Sequence, residues 1–302
     1  MKNKEQGFPQ DWERYVIISP NFILGYAKNI TMSYQCPLCH QALSLRAHSW
    51  VCDNNHQFDC AKEGYVNLLP VQFKRSKEPG DSAEMINARR EFLDAGFYQP
   101  MRDKVAELIQ TLLPEDNSVV LDIGCGEGYY TNQFYQNLKS RNPQVYGLDV
   151  SKVAIKYAAK RYSSIHFCVA SSQRLPFCDA SLNAVVRIYA PCNSDELARV
   201  IAHNGYIITV TPAPRHLYQL KALIYSEIHL HPLKEEYFDG FNKVSEHQVA
   251  YMMNLNGKQA FDLLQMTPFA WRASEEVKQS LAENKNFECE TDFLIRVYQR
   301  HA

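Results

Sequence analysis

The run Val119-Val120-Leu121-Asp122-Ile123-Gly124-Cys125-Gly126-Glu127-Gly128 constrains this chain more than any other stretch. An apolar strand runs straight into three alternating glycines, and a helical pattern starts at once. Glycine is required where backbone turns tightly or where a ligand must approach the main chain. In an open α/β sheet such a turn lies at the carboxyl edge of the strands, where ligands bind. A dinucleotide fingerprint, G-x-G-x-x-G, would need glycine at residue 129, which is Tyr129. No G-x-x-x-x-G-K-[ST] phosphate loop occurs either. The pattern is D-x-G-x-G-x-G, and Asp122 at the strand end would repel a pyrophosphate. It suits a cationic group such as an amino acid's ammonium. Asp149, closing the next apolar run Val145–Val150, can accept both hydroxyls of a ribose.

Around this loop the hydrophobic pattern alternates between helix and strand. Residues 83–95 and 105–113 read as helices. Strands are expected over 118–123, 145–150, 165–170, 184–189 and 206–211. Ser151 caps the helix after the second of these. A helix over 194–202 is expected to close at Asn204-Gly205. Residues 287–299 read as one or two closing strands. The pattern predicts a mostly parallel sheet with helices on both faces. The 302 residues, 46% of them hydrophobic, suffice for one such α/β domain plus a small module. No apolar run reaches the roughly 18–20 residues of a membrane span, so a soluble, cytoplasmic protein is expected. With 32 basic and 33 acidic residues, global charge gives no argument for nucleic acid, so a local patch would have to bind it.

Nine cysteines are present, and four of them crowd into one short segment. Cys36 and Cys39 are followed by Cys52 and His56. Two ligand pairs, each on a tight turn, aim four side chains at one tetrahedral ion. Thiolate with imidazole favours zinc. Cys60 is an alternative fourth ligand to His56, while His40 and His48 are left as spare polar residues. The remaining cysteines are scattered, which fits a reducing compartment. The expected organisation is an extension over 1–31, read as a disordered tail or an upstream start, and a zinc domain over 32–72. A linker and helix follow over 73–100, then the α/β domain over 101–302. The linker carries the basic run Lys74-Arg75-Ser76-Lys77, a candidate phosphate-contacting patch.

The glycine loop with Asp122 and Asp149 resembles that of class I S-adenosylmethionine-dependent methyltransferases. Three further stretches narrow the resemblance: Ala61-Lys62-Glu63-Gly64-Tyr65-Val66-Asn67-Leu68-Leu69, Pro79-Gly80-Asp81-Ser82 and Met266-Thr267-Pro268-Phe269-Ala270-Trp271. With the zinc ligands, they resemble the 23S rRNA guanine-N1 methyltransferases from about Met32 to the C-terminus. That resemblance implies a Rossmann-like, seven-stranded, mostly parallel sheet with a small N-terminal zinc-binding domain. It implies S-adenosylmethionine as methyl donor, one structural zinc, a hairpin of 23S rRNA as substrate with guanine 745 as the target, and a homodimer. It places Tyr98 and His216 beside the cofactor, with Asp122, Gly124, Gly126, Glu127 and Asp149. Residues 1–31 depart from it, since members of that family begin near the zinc site.

After the fourth strand of the α/β domain, Tyr189 could stack on a target base. No carboxylate or histidine in Ile188–Cys192 is an obvious general base, so that role has no candidate. Pro191-Cys192 is reminiscent of pyrimidine C5 methyltransferases, whose thiol attacks the ring. Guanine N1 needs no covalent helper once deprotonated, so Cys192 is expected to be structural. Two other readings compete. One is an RNA-binding protein with an inactive methyltransferase domain, against which the complete Asp122, Gly124, Gly126 and Asp149 set weighs. The other is a small-molecule methyltransferase, against which the zinc module weighs.

Overall fold

The computed structural model describes residues 34–73 and 82–301. Three short strands come first: β1 (Ser44–Arg46), β2 (Ser49–Val51) and β3 (Gln57–Asp59), an antiparallel sheet of order β1-β2-β3. A two-residue strand, β4 (Val66–Asn67), and two helices, α1 (Ala83–Asp94) and α2 (Gln99–Leu112), lead into the main domain. There β5 (Val119–Ile123), α3 (Tyr129–Leu138), β6 (Gln144–Asp149), α4 (Lys152–Arg161), β7 (His166–Val169) and β8 (Leu182–Ile188) alternate. They are followed by α5 (Ser194–Val200), β9 (Ile201–Pro212) and α6 (Tyr218–Ala222). The chain closes with β10 (Phe241–Leu255), α7 (Gly257–Gln265), α8 (Glu275–Glu283) and β11 (Phe287–Arg300).

The large sheet has the order β10-β11-β9-β8-β5-β6-β7-β4. From β9 to β4 all neighbours are parallel, while β11 runs antiparallel to both β9 and β10. Seven of its strands make the expected sheet. The eighth, β4, comes from the zinc segment and adds to the far edge through Val66 opposite Cys168. The strand order reverses between β5 and β8, so a crevice opens at their carboxyl ends, where α/β folds bind ligands.

Alternate residues of β5 serve opposite layers. Val120 packs into a core with Phe92 of α1, Val105 of α2, Phe134 of α3 and Leu263 of α7. Val119, Leu121 and Ile123 pack on the other side with Leu197 of α5 and with Tyr34, Cys36, Leu43 and Cys52 of the zinc segment. The second face is therefore covered largely by the zinc module, where helices alone were expected. Tyr34 is the anchor. Its ring centroid lies 4.9 Å from Trp50 inside the module and 5.3 Å from both Tyr146 and Phe177 of the main domain. A ribbon this small has too little apolar surface for a core of its own, so it borrows the sheet's.

Local chemistry explains most boundaries. Ser82, Ser151 and Ser274 each accept the backbone N–H three residues on, capping α1, α4 and α8. Asn256 and Gln259 form a reciprocal capping box on α7. One boundary differs from expectation. Asn204-Gly205 does not end a helix; α5 stops at Val200 and β9 begins at Ile201. Asn204 takes φ 62° within the strand, beside the register shift between Leu182 and Ala184. The same left-handed geometry that would cap a helix here bends a strand.

Candidate active site and metal centre

Cys36 and Cys52 each open a tight turn. His40 N–H donates to Cys36 O at 2.9 Å, and Asn55 N–H donates to Cys52 O at 2.9 Å. These turns bring together the side chains of Cys36, Cys39, Cys52 and His56, whose ligand atoms lie within 4.8 Å of one another. Cys39 Sγ and Cys52 Sγ are 3.6 Å apart, and His56 Nδ1 lies 3.3–3.5 Å from the three sulfurs. A tetrahedron with zinc–sulfur bonds of about 2.3 Å and a zinc–nitrogen bond of about 2.0 Å has edges of about 3.5–3.8 Å. The donor set fits zinc in both chemistry and size. Cys60 stands outside the cluster, its backbone N–H bonded to His48 O at 2.8 Å. His56, not Cys60, therefore completes the four-residue cluster arranged to hold a metal. The backbone N–H of Gln41, with help from His56, lowers the Cys39 thiol to about 6, favouring the thiolate a metal takes.

At the carboxyl ends of β5 and β8 lies a cavity of about 660 Å³, a size suited to a cofactor. Its floor is the glycine loop. Gly124 has φ +72°, and a Cβ there would stand 2.8 Å from the Ala190 Cβ. Gly126 has φ +54° and open space where its side chain would be. Both expected requirements for glycine are met, tight turning at the first and open approach at the second. Asp149 secures the loop: one carboxylate oxygen accepts Gly126 N–H at 3.0 Å, the other Ser151 N–H at 2.8 Å. Asp122 is buried, and its carboxylate accepts the Thr131 hydroxyl at 2.6 Å.

Tyr98, Glu127, Tyr189 and His216 line the same cavity. Glu127 forms a two-pronged ion pair with Arg90 of α1, whose guanidinium also lies over Tyr157 at 4.6 Å. Tyr98 packs edge-on against Phe92 and Phe293, at 5.2 and 4.9 Å. His216 Nδ1 accepts the Asp292 backbone N–H at 3.2 Å, and His216 Nε2 lies 3.3 Å from Tyr189 Oη. Burial, reinforced by His231 and Lys221, lowers the His216 imidazole to about 3, so it is neutral. Tyr189 has φ +57°, a strained conformation for an aromatic residue. Its backbone N–H donates to Val210 O at 3.1 Å, and Arg187, paired with Glu236, holds Ala190 O at 3.2 Å.

Cys192 is set aside by the geometry. The lining includes Pro191 but not the thiol, which donates to Ser172 O at 3.1 Å. Burial pushes it up to about 12, against the opposing pull of Arg187. A nucleophilic cysteine needs the opposite shift. Sequence reasoning missed several wall residues. His231 carried no local signal, and Arg90 is recognisable only through its contact with Glu127. Met266, Thr267, Pro268 and Phe269, known from the sequence only as part of the family resemblance, form another wall. Lys74, Arg75 and Lys77 lie outside the described residues.

Residues 34–77 match the zinc-ribbon family described as "RlmA, N-terminal", and residues 114–285 match a methyltransferase domain family. A Micromonospora griseorubida protein, provisionally named a 23S rRNA (guanine-N(1)-)-methyltransferase, is 30% identical, with 78% of this chain and 86% of its own covered. The chain belongs to the 23S rRNA (guanine-N1)-methyltransferase family. A Bacillus subtilis protein with the same provisional name is 29% identical over 87% of this chain and 96% of its own. The 23S rRNA (guanine(748)-N(1))-methyltransferase of Streptomyces fradiae is 28% identical over 85% and 92%. As a member of this family the protein is an S-adenosylmethionine-dependent methyltransferase, with a zinc ribbon arranged to hold a metal. Among the described residues no helix is long and apolar enough to cross a membrane.

Proposed function

We propose that the protein methylates N1 of a guanine in a hairpin of 23S rRNA, as a cytoplasmic homodimer. The observation that carries this reading is the pairing of two sites in one chain. A four-ligand zinc ribbon packs on the same sheet whose carboxyl edge holds the glycine-floored cavity. A methyltransferase acting on a small molecule has no need of such a platform. The names of the three relatives support 23S rRNA and guanine N1. Position 745 rests on the family resemblance; the Streptomyces fradiae relative is named for position 748.

When bound, S-adenosylmethionine supplies an electrophilic methyl group on a sulfonium sulfur. Asp122 faces the ammonium end, and the open backbone at Gly126 lets the ligand lie against the loop. Asp149 accepts the ribose hydroxyls, while Tyr98, Glu127 and His216 complete the wall. Placement of the base accounts for most of the rate, since guanine N1 is nucleophilic once its proton is lost. The base reaches the cavity only from a loop or after leaving its stack. Lys74, Arg75 and Lys77 contact phosphates and hold the hairpin in register. The test is transfer to a hairpin transcript by purified protein, followed by mass analysis of the nucleosides. Both the wild type and Cys192→Ala should yield 1-methylguanosine. A covalent adduct with 5-fluoropyrimidine RNA, lost in Cys192→Ala, would contradict the reading.

A further inference from the structure

Tyr189 is the residue of the cavity whose geometry the cofactor does not explain. It stands at the end of β8 in a strained backbone conformation, and although large and aromatic it is 44% exposed where it lines the cavity. Such strain persists only where surrounding structure over-determines it, and here Val210 O, the Arg187–Ala190 contact and His216 do so.

The hydrogen bonds at its hydroxyl have a direction. Asp292 N–H can only donate, so His216 Nδ1 is the acceptor. In a neutral imidazole the other nitrogen then carries the proton. His216 Nε2–H therefore donates to Tyr189 Oη. A phenol oxygen that has accepted this bond is left with its own proton to give. Among the described residues no acceptor for that proton is found besides the His216 ring. Asp292 is itself fixed: its side chain accepts Gln248 Nε2–H at 2.6 Å and Arg215 N–H at 3.1 Å. The relay is anchored in β11 and ends in the cavity.

We propose that Tyr189, oriented by His216, donates its hydroxyl hydrogen bond to the carbonyl oxygen next to the ring nitrogen that is methylated, and so selects guanine and makes its N1 acidic. This rests on the functional reading above. When guanine N1 loses its proton to solvent water, the N–H electron pair stays on the ring and spreads onto O6. A donor aimed at O6 stabilises that anion more than the neutral base, as fixed donors at a developing oxyanion do. Adenine presents an amino donor at the same place. Two donors would then face each other, which excludes adenine. Tyr189 is on this account a catalytic residue through its hydroxyl rather than only a stacking surface, and His216 is a positioning residue.

The test uses a 23S rRNA hairpin transcript carrying guanosine or 6-thioguanosine at the target. Thiocarbonyl sulfur is a poorer acceptor, so the sulfur substitution should slow the wild type. Tyr189→Phe keeps the ring. It should lower kcat at least about tenfold, with KM for RNA and affinity for S-adenosylmethionine unchanged, and should lose most of the sulfur effect. His216→Gln, which retains a donor toward Tyr189, should recover activity that His216→Leu loses. Wild-type kcat in Tyr189→Phe would overturn the proposal, and loss confined to Tyr189→Ala would point to stacking alone. An equal sulfur effect in Tyr189→Phe and wild type would also overturn it. Failure of the wild type to methylate guanine N1 at all would overturn the functional reading and this inference together. A wild type that methylates guanine N1, with Tyr189 and His216 variants that behave as it does, would overturn the inference alone.

Discussion

Asp122 sits buried beneath the glycine loop. Burial lifts its carboxyl to about 7; the Thr131 hydroxyl opposes the lift and the Asp149 charge adds to it. A carboxyl raised in the folded state contributes stability below its unfolded value of about 4, and that contribution is lost as pH rises through about 7. The ligand-free protein should therefore lose thermal stability between about pH 4 and pH 7. A cationic ligand group beside Asp122 favours the ionised form. Affinity for S-adenosylmethionine should thus rise over about pH 6–8, with proton release on binding. Asp122→Asn should bind weakly and without that slope. Calorimetry in buffers of different ionisation enthalpy reads both effects, and a wild-type affinity independent of pH would contradict the assignment. At this scale the sequence was informative because the chemistry is local. Asp122, Gly124, Gly126 and the four metal ligands lie within short spacings that a turn converts directly into geometry. His231 and Arg90 were not readable, because only tertiary packing brings them to the cavity wall.

The zinc ribbon, as an element, is tied to the catalytic sheet at both ends and through its buried cysteines. Gln35 N–H donates to Pro176 O at 3.0 Å, β4 extends the sheet beside β7, and Cys36 and Cys52 are buried with Leu121 and Phe177. A structural zinc is worth about 10–16 kcal/mol of apparent binding energy. A whole domain is stable by only about 5–15 kcal/mol. Removing the metal should therefore lower the melting temperature of the whole chain in one transition, and His56→Ala should do the same. Thermal unfolding followed by circular dichroism, with and without a chelator, measures this. Two separate transitions, with the catalytic domain unmoved, would show the ribbon to be an independent unit. The paired ligands were legible from spacing alone, but the packing was not, since nothing local marks Tyr34 as facing Tyr146 and Phe177. The same limit applies to β10. Its alternating residues bury only one side, and its many polar positions disguise a strand whose partner, β11, lies over thirty residues away along the chain.

The whole molecule places a metal-stabilised ribbon on one face of a sheet and a ligand cavity at its carboxyl edge. Most of this architecture was present in the sequence as alternation of helix and strand periods around one loop. The parallel strands β5, β6, β7 and β8 are legible because central strands are buried on both faces and mostly apolar, as in Val119–Ile123, where Asp122 is the one polar residue. The order of the strands, the reversal between β5 and β8 and the zinc face are long-range consequences that periodicity does not encode. Chemistry at the cavity follows from that reversal, which brings Gly124, Asp149, Tyr189 and His216 from four separate segments to one space. The most direct measurement of the central claim is mass mapping of 23S rRNA from cells with and without this gene. A methyl group on N1 of one hairpin guanine, present with the gene and absent without it, is the predicted result. An unchanged guanine together with a missing methyl group on a pyrimidine carbon, or no change anywhere in 23S rRNA, would contradict the account.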